Sequence, residues 1–202
     1  MRRPPRPVPV TLALLLMPAL APPADAHLMT TGFGPFYDGL THLFLTPADL
    51  LQVIAIALLA GLRGARAGRV AVFALPAAWL AGNVAGALAL PCGPLVVMAA
   101  ASTIALGALT AADAPLPPEA VAGIAIAIGL LDGARNGGDL ATARASVLVA
   151  IGTTCALFVT LSLLGGQVVS IRAPWARVVV RVGGSWIGAI GLLMLGWSLR
   201  AA

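Results

Sequence analysis

Residues 144–168 read RASVLVAIGTTCALFVTLSLLGGQV. Past Arg144 the run holds no acidic or basic side chain, and its apolar residues follow one another without the alternation of a strand or the polar stripe of an amphipathic helix. As a helix, 25 residues rise about 37 Å at 1.5 Å each, enough to cross a hydrocarbon core of about 30 Å. The stretch therefore reads as a transmembrane helix. Working outward, comparable runs recur near 43–62, 70–90, 94–112, 119–135 and 178–199. Turn signals separate them: Pro91-Cys92-Gly93-Pro94 makes a tight hairpin, and Pro115, Pro117 and Pro118 break the third run from the fourth. The sequence thus predicts an all-α, polytopic membrane helix bundle with about six transmembrane helices.

Composition agrees. Of 202 residues, 60% are hydrophobic and only 9% charged, with a mean hydropathy of +1.00; a soluble domain carries about 25% charged residues. So few charges cannot cover a surface in water, which excludes a soluble enzyme, a nucleic-acid-binding module and a disordered chain. Twelve Arg and no Lys stand against seven acidic residues. The arginines sit at the ends of apolar runs rather than in a basic stripe with interleaved aromatics, so they carry topology and no nucleic-acid partner is expected.

The first 26 residues read as a signal peptide. Arg2, Arg3 and Arg6 precede a short apolar stretch from Val8 to Ala21, and Ala24-Asp25-Ala26 supplies an A-x-A cleavage site. Cleavage there would leave His27 as the mature N-terminus, where a free α-amine beside an imidazole forms a nitrogen chelate. Residues 27–46 then form a periplasmic or re-entrant segment, and residues 47–202 the transmembrane bundle. Arg63, Arg66, Arg69, Arg172, Arg177 and Arg181 fall on one side of the membrane and Arg135, Arg144 and Arg200 on the other. That bias favours a periplasmic mature N-terminus in a bacterial inner (cytoplasmic) membrane.

The informative residues are those lipid rejects, since an ionisable side chain near the bilayer centre costs about 2.5–3.5 kcal/mol. One cluster holds His27, Asp38 and His42, the latter two four residues apart as on one helical face. It reads either as a set of ligands for a first-row metal or as an interfacial loop, for Gly34, Pro35 and Gly39 speak against a regular helix. Thr46 and Asp49, around Pro47, read as helix caps rather than site residues. A helix from Pro47 to Leu62 spans only about 24 Å, so the first crossing either begins earlier and kinks at Pro47 or is preceded by a re-entrant segment. The second cluster is Asp132-Gly-Ala-Arg135-Asn136-Gly-Gly-Asp139. Asp132, Asn136 and Asp139 would share one face of a continuing helix and offer hard oxygen ligands. The glycines favour fraying into a turn, in which Arg135 pairs with Asp132 or Asp139. Glu119 opens the fourth run as a favourable acid at a helix N-terminus. Asn83 reads as interhelical hydrogen-bond glue, and the pairs Gly82/Gly86 and Gly184/Gly188 as close-packing positions. Neither a catalytic triad, nor a P-loop, nor a Cys-x-x-Cys pair is present, and the chain is not expected to be an enzyme.

The layout resembles the HupE/UreJ family of hydrogenase and urease accessory membrane proteins. In Gly32-Phe33-Gly34-Pro35-Phe36-Tyr37-Asp38-Gly39-Leu40-Thr41-His42 both glycines, the phenylalanine and the last histidine match the family's G-F-x-H-P-x-x-G-x-D-H, while Pro35 and Thr41 stand at its other histidine and its aspartate. Asp132 to Asp139 is similar to H-G-x-x-H-G-x-E, with both glycines kept, acid for acid at Asp139, and Asp132 and Asn136 in place of histidines. Glu119 stands where the family has a glutamate. The resemblance implies a permease for a divalent cation, nickel or cobalt, that supplies metalloenzyme maturation proteins and holds no permanently bound cofactor. On that reading His27, Asp38 and His42 capture the ion at the periplasmic mouth, and Asp132, Asn136, Asp139 and Glu119 line its inward path. The alternatives are a non-transporting accessory or scaffold protein in the lipid bilayer, and a periplasmic copper site built by His27 and His42.

Overall fold

The computed structural model describes residues 31–88 and 95–201. The stretch read as a signal peptide, His27 and the hairpin expected at Pro91–Pro94 lie outside the described residues. Within them the regular elements are seven helices: α1 (Pro35–Leu45), α2 (Pro47–Leu62), α3 (Ala65–Leu88), α4 (Leu95–Ala111), α5 (Pro118–Thr142), α6 (Val147–Val169) and α7 (Pro174–Ala201). The fold is an all-α polytopic membrane bundle. Helices α3, α6 and α7 are each long and apolar enough to cross a membrane, and the bent pair α1–α2 makes a fourth candidate. α4 is apolar but shorter, and α5 carries Glu119, Asp132, Arg135 and Asp139.

The bend between α1 and α2 is 76°. Proline explains it: Pro47 has no N–H to continue α1, and its ring excludes helical geometry at Thr46, whose φ and ψ are −106° and 89°. The bend fits either a first crossing broken at Pro47 or a re-entrant helix ahead of it. Two expectations are corrected. Residues 35–45 form a regular helix despite Gly34, Pro35 and Gly39, because Gly34 stands outside it at φ 104° and Pro35 is tolerated in the first turn. Nor does the second cluster fray: α5 runs unbroken to Thr142.

α2 is the central strut. Ten of its 16 residues are buried, from Asp49 to Leu62, under α3, α4, α5, α6 and α7. A helix so enclosed need not match the bilayer thickness alone. The other helices pair through small residues. Gly129, Gly133 and Gly137 of α5 lie against the backbone of α3 at Leu75, Trp79 and Asn83, while Gly82 and Gly86 lie against α5 at Leu130 and Ala134. The glycines read as helix breakers are thus a packing face, since side-chain-free positions let backbones approach where lipid gives apolar side chains no reason to associate. α4 and α7 meet similarly, Gly107 on Gly188 and Gly184 on Thr110. Outward-facing Phe73, Leu163, Trp186 and Leu193 are exposed, as a lipid-facing surface requires. Exposed Trp175 and Trp197 stand about 33 Å apart along α7, near the two ends of a hydrocarbon core.

Candidate functional site

Chain direction brings the start of α2 and α4 to the same end of the bundle as the last turns of α3 and α5, and there the buried polar residues collect. Asp132 and Gln52 have no exposed surface, Asp49 has 2%, Asn136 3% and Asn83 6%. Arg135 Nη2 donates to Asp49 Oδ1 and lies 3.8 Å from Asp132 Oδ1. Gln52 Nε2 donates to Asp132 Oδ1 at 3.3 Å and to the Ala99 carbonyl of α4 at 3.3 Å. Its Oε1 accepts from Ser102 Oγ at 3.2 Å. Asn136 Nδ2 donates to Asn83 Oδ1 at 3.0 Å, and Asn83 Nδ2 to the Trp79 carbonyl at 3.0 Å. The result is a polar seam across α2, α3, α4 and α5 inside an apolar bundle. It is incompletely satisfied: Asp132 Oδ2 and Arg135 Nε are buried without a hydrogen-bond partner.

The predicted site residues are divided by this arrangement. Asp132 and Asn136 enter the seam from one face of α5, as their spacing on a continuing helix required. Asp139, two turns beyond Asp132, is exposed. Asp38 lies at the start of α1 and accepts from the backbone N–H and hydroxyl of Thr31 at 2.6 and 2.7 Å; His42 is part-buried one turn further on, within Coulombic reach of Asp49. Among the described residues no three His, Cys, Asp or Glu side chains gather to hold a metal ion. The seam offers two carboxylates and amides instead.

The capping assignments are corrected. Thr46 does occupy the position before Pro47, but α2 has no side-chain capping bond; the Thr46 hydroxyl donates back to the His42 carbonyl at 3.0 Å. Asp49 faces inward to Arg135 because a buried carboxylate needs a cation more than an exposed helix start needs an acid. Arg135 is accordingly an interior residue and not an end-of-span charge. Gln52, unmarked in the sequence, is the residue that joins α2, α4 and α5. Its signal was available: Asp49 and Gln52 on α2, and Asp132 and Arg135 on α5, are each spaced i, i+3 within otherwise apolar faces.

Glu119 stands at the opposite end, about 20 Å from Asp132 along α5. It pairs with Arg66 at 3.1 Å with both side chains exposed. Nearby, Asp113 answers Arg63 and, at 3.3 Å, Arg177, and Arg181 Nε donates to the Ala111 carbonyl at 2.9 Å. Burial first, then the neighbouring Arg177, presses the Arg63 guanidinium below its ordinary pKa. The arginines assigned to one side of the membrane do lie at one end of the bundle. Glu119 does not join the seam. Glu119→Gln is therefore expected to change thermal stability by less than about 1 kcal/mol, as for an exposed ion pair, which thermal unfolding in detergent measures.

The sequence model of the family described as HupE / UreJ protein matches residues 13–194. No curated protein and no solved structure matches the chain.

Proposed function

The chain belongs to the HupE/UreJ family, membrane proteins linked to the nickel supply of hydrogenase and urease, and from that premise we propose that it is an integral membrane permease for a divalent cation of the nickel or cobalt type. The observation that carries this reading is Asp132. A fully buried carboxylate with one unpartnered oxygen is costly in a membrane bundle, and such groups persist where an ion passes. Asp132 shares its surroundings with Asp49, Gln52 and Asn136, so oxygen atoms from two helices are already gathered. Coordination of this kind is exchangeable, which transport requires and a closed structural site would prevent.

Asp38 and His42 lie on the short helix before the seam and are suited to first contact with the ion. Orientation follows from charge: Arg63, Arg66, Arg69, Arg172, Arg177 and Arg181 favour the cytoplasmic side, which puts the seam toward the periplasm of a bacterial inner membrane. Below the seam the core is apolar, with Val53, Ile56, Leu59, Val121, Ala125 and Leu157 buried. A permease in this conformation is shut toward the basic end, and release needs α2, α5 and α6 to part there.

The test is uptake of radioactive nickel into proteoliposomes. Asp132→Asn and Asp49→Asn are each expected to lower the initial rate at least tenfold, His42→Ala less, and equal rates in all four proteins would overturn the route. The dry basic half and the distance of Glu119 favour a second reading, a non-transporting accessory protein that holds metal for maturation partners. On that reading the wild type binds metal through the same seam and moves none.

A further inference from the structure

We propose that Arg135 is a tethered surrogate for the transported ion: its guanidinium occupies the cation position between Asp49 and Asp132 and is exchanged for a divalent cation when one binds. The inference rests on the permease reading for the nature of the cargo, and on the geometry of the seam for the exchange.

Two carboxylates from different helices converge on a single nitrogen. Arg135 Nη2 is bonded to Asp49 Oδ1 and lies 3.8 Å from Asp132 Oδ1. An arginine paired with a carboxylate frequently uses its fork, two parallel N–H groups on the two oxygens. Here one nitrogen is hydrogen-bonded to Asp49 and faces Asp132 as an ion pair without a hydrogen bond, and Arg135 Nε and Asp132 Oδ2 stay buried and unpartnered. The Nη2 atom is thus placed as a point charge would be. Charge count points the same way. With both carboxylates ionised the pair carries −2 and one guanidinium returns +1, whereas a divalent cation in that place balances both and favours the loss of both protons. Of the neutral neighbours, Gln52 now turns its Nε2 to Asp132 and its Oε1 to Ser102, so its amide must turn over to offer a partly hydrated ion a hard oxygen.

The surrogate also has somewhere to go. The Arg135 side chain is 20% exposed, against 0% for Asp132 and 3% for Asp49, so it reaches the seam from the open side. Asp139, one turn further on α5, is exposed and lies within Coulombic reach of Arg135, as i, i+4 spacing places it. A displaced guanidinium would find its counter-charge there. His42 on α1 is the other titratable group facing Asp49.

The experiment uses the full chain in detergent micelles with cobalt(II) chloride as probe, read by calorimetry and by the visible absorption of the bound ion. Arg135→Gln is expected to bind cobalt at least tenfold more tightly than the wild type. Arg135→Lys keeps a charge near the carboxylates and so preserves the fold, but as a shorter, single-point cation it competes less well, and a gain of at least twofold is expected. Adding Asp49→Asn to Arg135→Gln should abolish the gain. Unchanged affinity in both single variants, or a gain that survives Asp49→Asn, would overturn the proposal. Absence of uptake by the wild type with the gain intact removes the permease reading and leaves the exchange standing; uptake without the gain does the reverse.

Discussion

Arg135→Ala is expected to destabilise the metal-free protein by about 3–5 kcal/mol, the cost of stripping a buried ion pair of one partner. Thermal unfolding in detergent, followed by tryptophan fluorescence, measures it. The magnitude follows from what is left behind: Asp49, 2% exposed, and Asp132, fully buried, would face each other without a cation in a low-dielectric interior. The cost belongs to the orphaned charges and not to lost packing, and that can be separated. Combining Arg135→Ala with Asp49→Asn and Asp132→Asn removes every formal charge and should recover most of the lost stability, because replacing a whole buried ion cluster is often neutral. Cobalt should raise the melting temperature of Arg135→Ala and leave the triple variant unmoved, as expected when a ligand binds only the folded state of the former. A wild-type melting curve for Arg135→Ala in the absence of metal would mean that the seam is not held by its charges.

Gly137→Leu is expected to have the larger effect, loss of folded protein. A Cβ at Gly137 would strike the backbone of Asn83, and one at Gly133 the backbone of Trp79. Backbone cannot rotate aside as a side chain can, so α3 and α5 must separate along their length. Overpacking in a core costs about 1–3 kcal/mol when neighbours yield; here they cannot, and the Asn136–Asn83 hydrogen bond of 3.0 Å is lost with the contact. Size-exclusion profiles of the detergent-solubilised variant should show aggregate in place of the wild-type peak. Gly123→Ala is the control on the same helix. Nothing lies within 4 Å of a Cβ there, and the substitution should be neutral or stabilising by up to about 1 kcal/mol through helix propensity.

These two expectations mark what the sequence could and could not disclose. Long uncharged runs announce membrane helices because the bilayer imposes a length and a polarity that no partner can waive, and the bundle followed from them. The alignment of Asp132 with Asn136 was legible for a related reason: helical spacing is local. Asp49 was misread because its partner lies 86 positions away. Thr46-Pro47-Ala48-Asp49 is a sound capping sequence, and only the presence of Arg135 across the interface turns its acid inward. Gly133 and Gly137 were misread on the same ground. Glycine weakens an isolated helix but strengthens one that needs a close neighbour, and the neighbour, α3, is invisible from within α5. Glu119 was placed beside Asp132 only by the resemblance; its helix carries it to the other end of the bundle, where it pairs with Arg66.

The sharp joint at Thr46 carries a mechanical corollary. α1 is fastened chiefly to α6, where Gly39 lies on the Val149 backbone, Gly152 on that of Phe36, and the Thr153 hydroxyl donates to the Gly39 carbonyl at 3.0 Å. Its packing on α2 is slighter, though Leu43 shares the core with Val53 and Ile56. α1 is therefore an outrigger of α6: any tilt of α6 relative to the central strut is taken up largely as torsion at one residue, and it would swing His42 and Asp38 together past the polar seam while Asp49 stayed where it is.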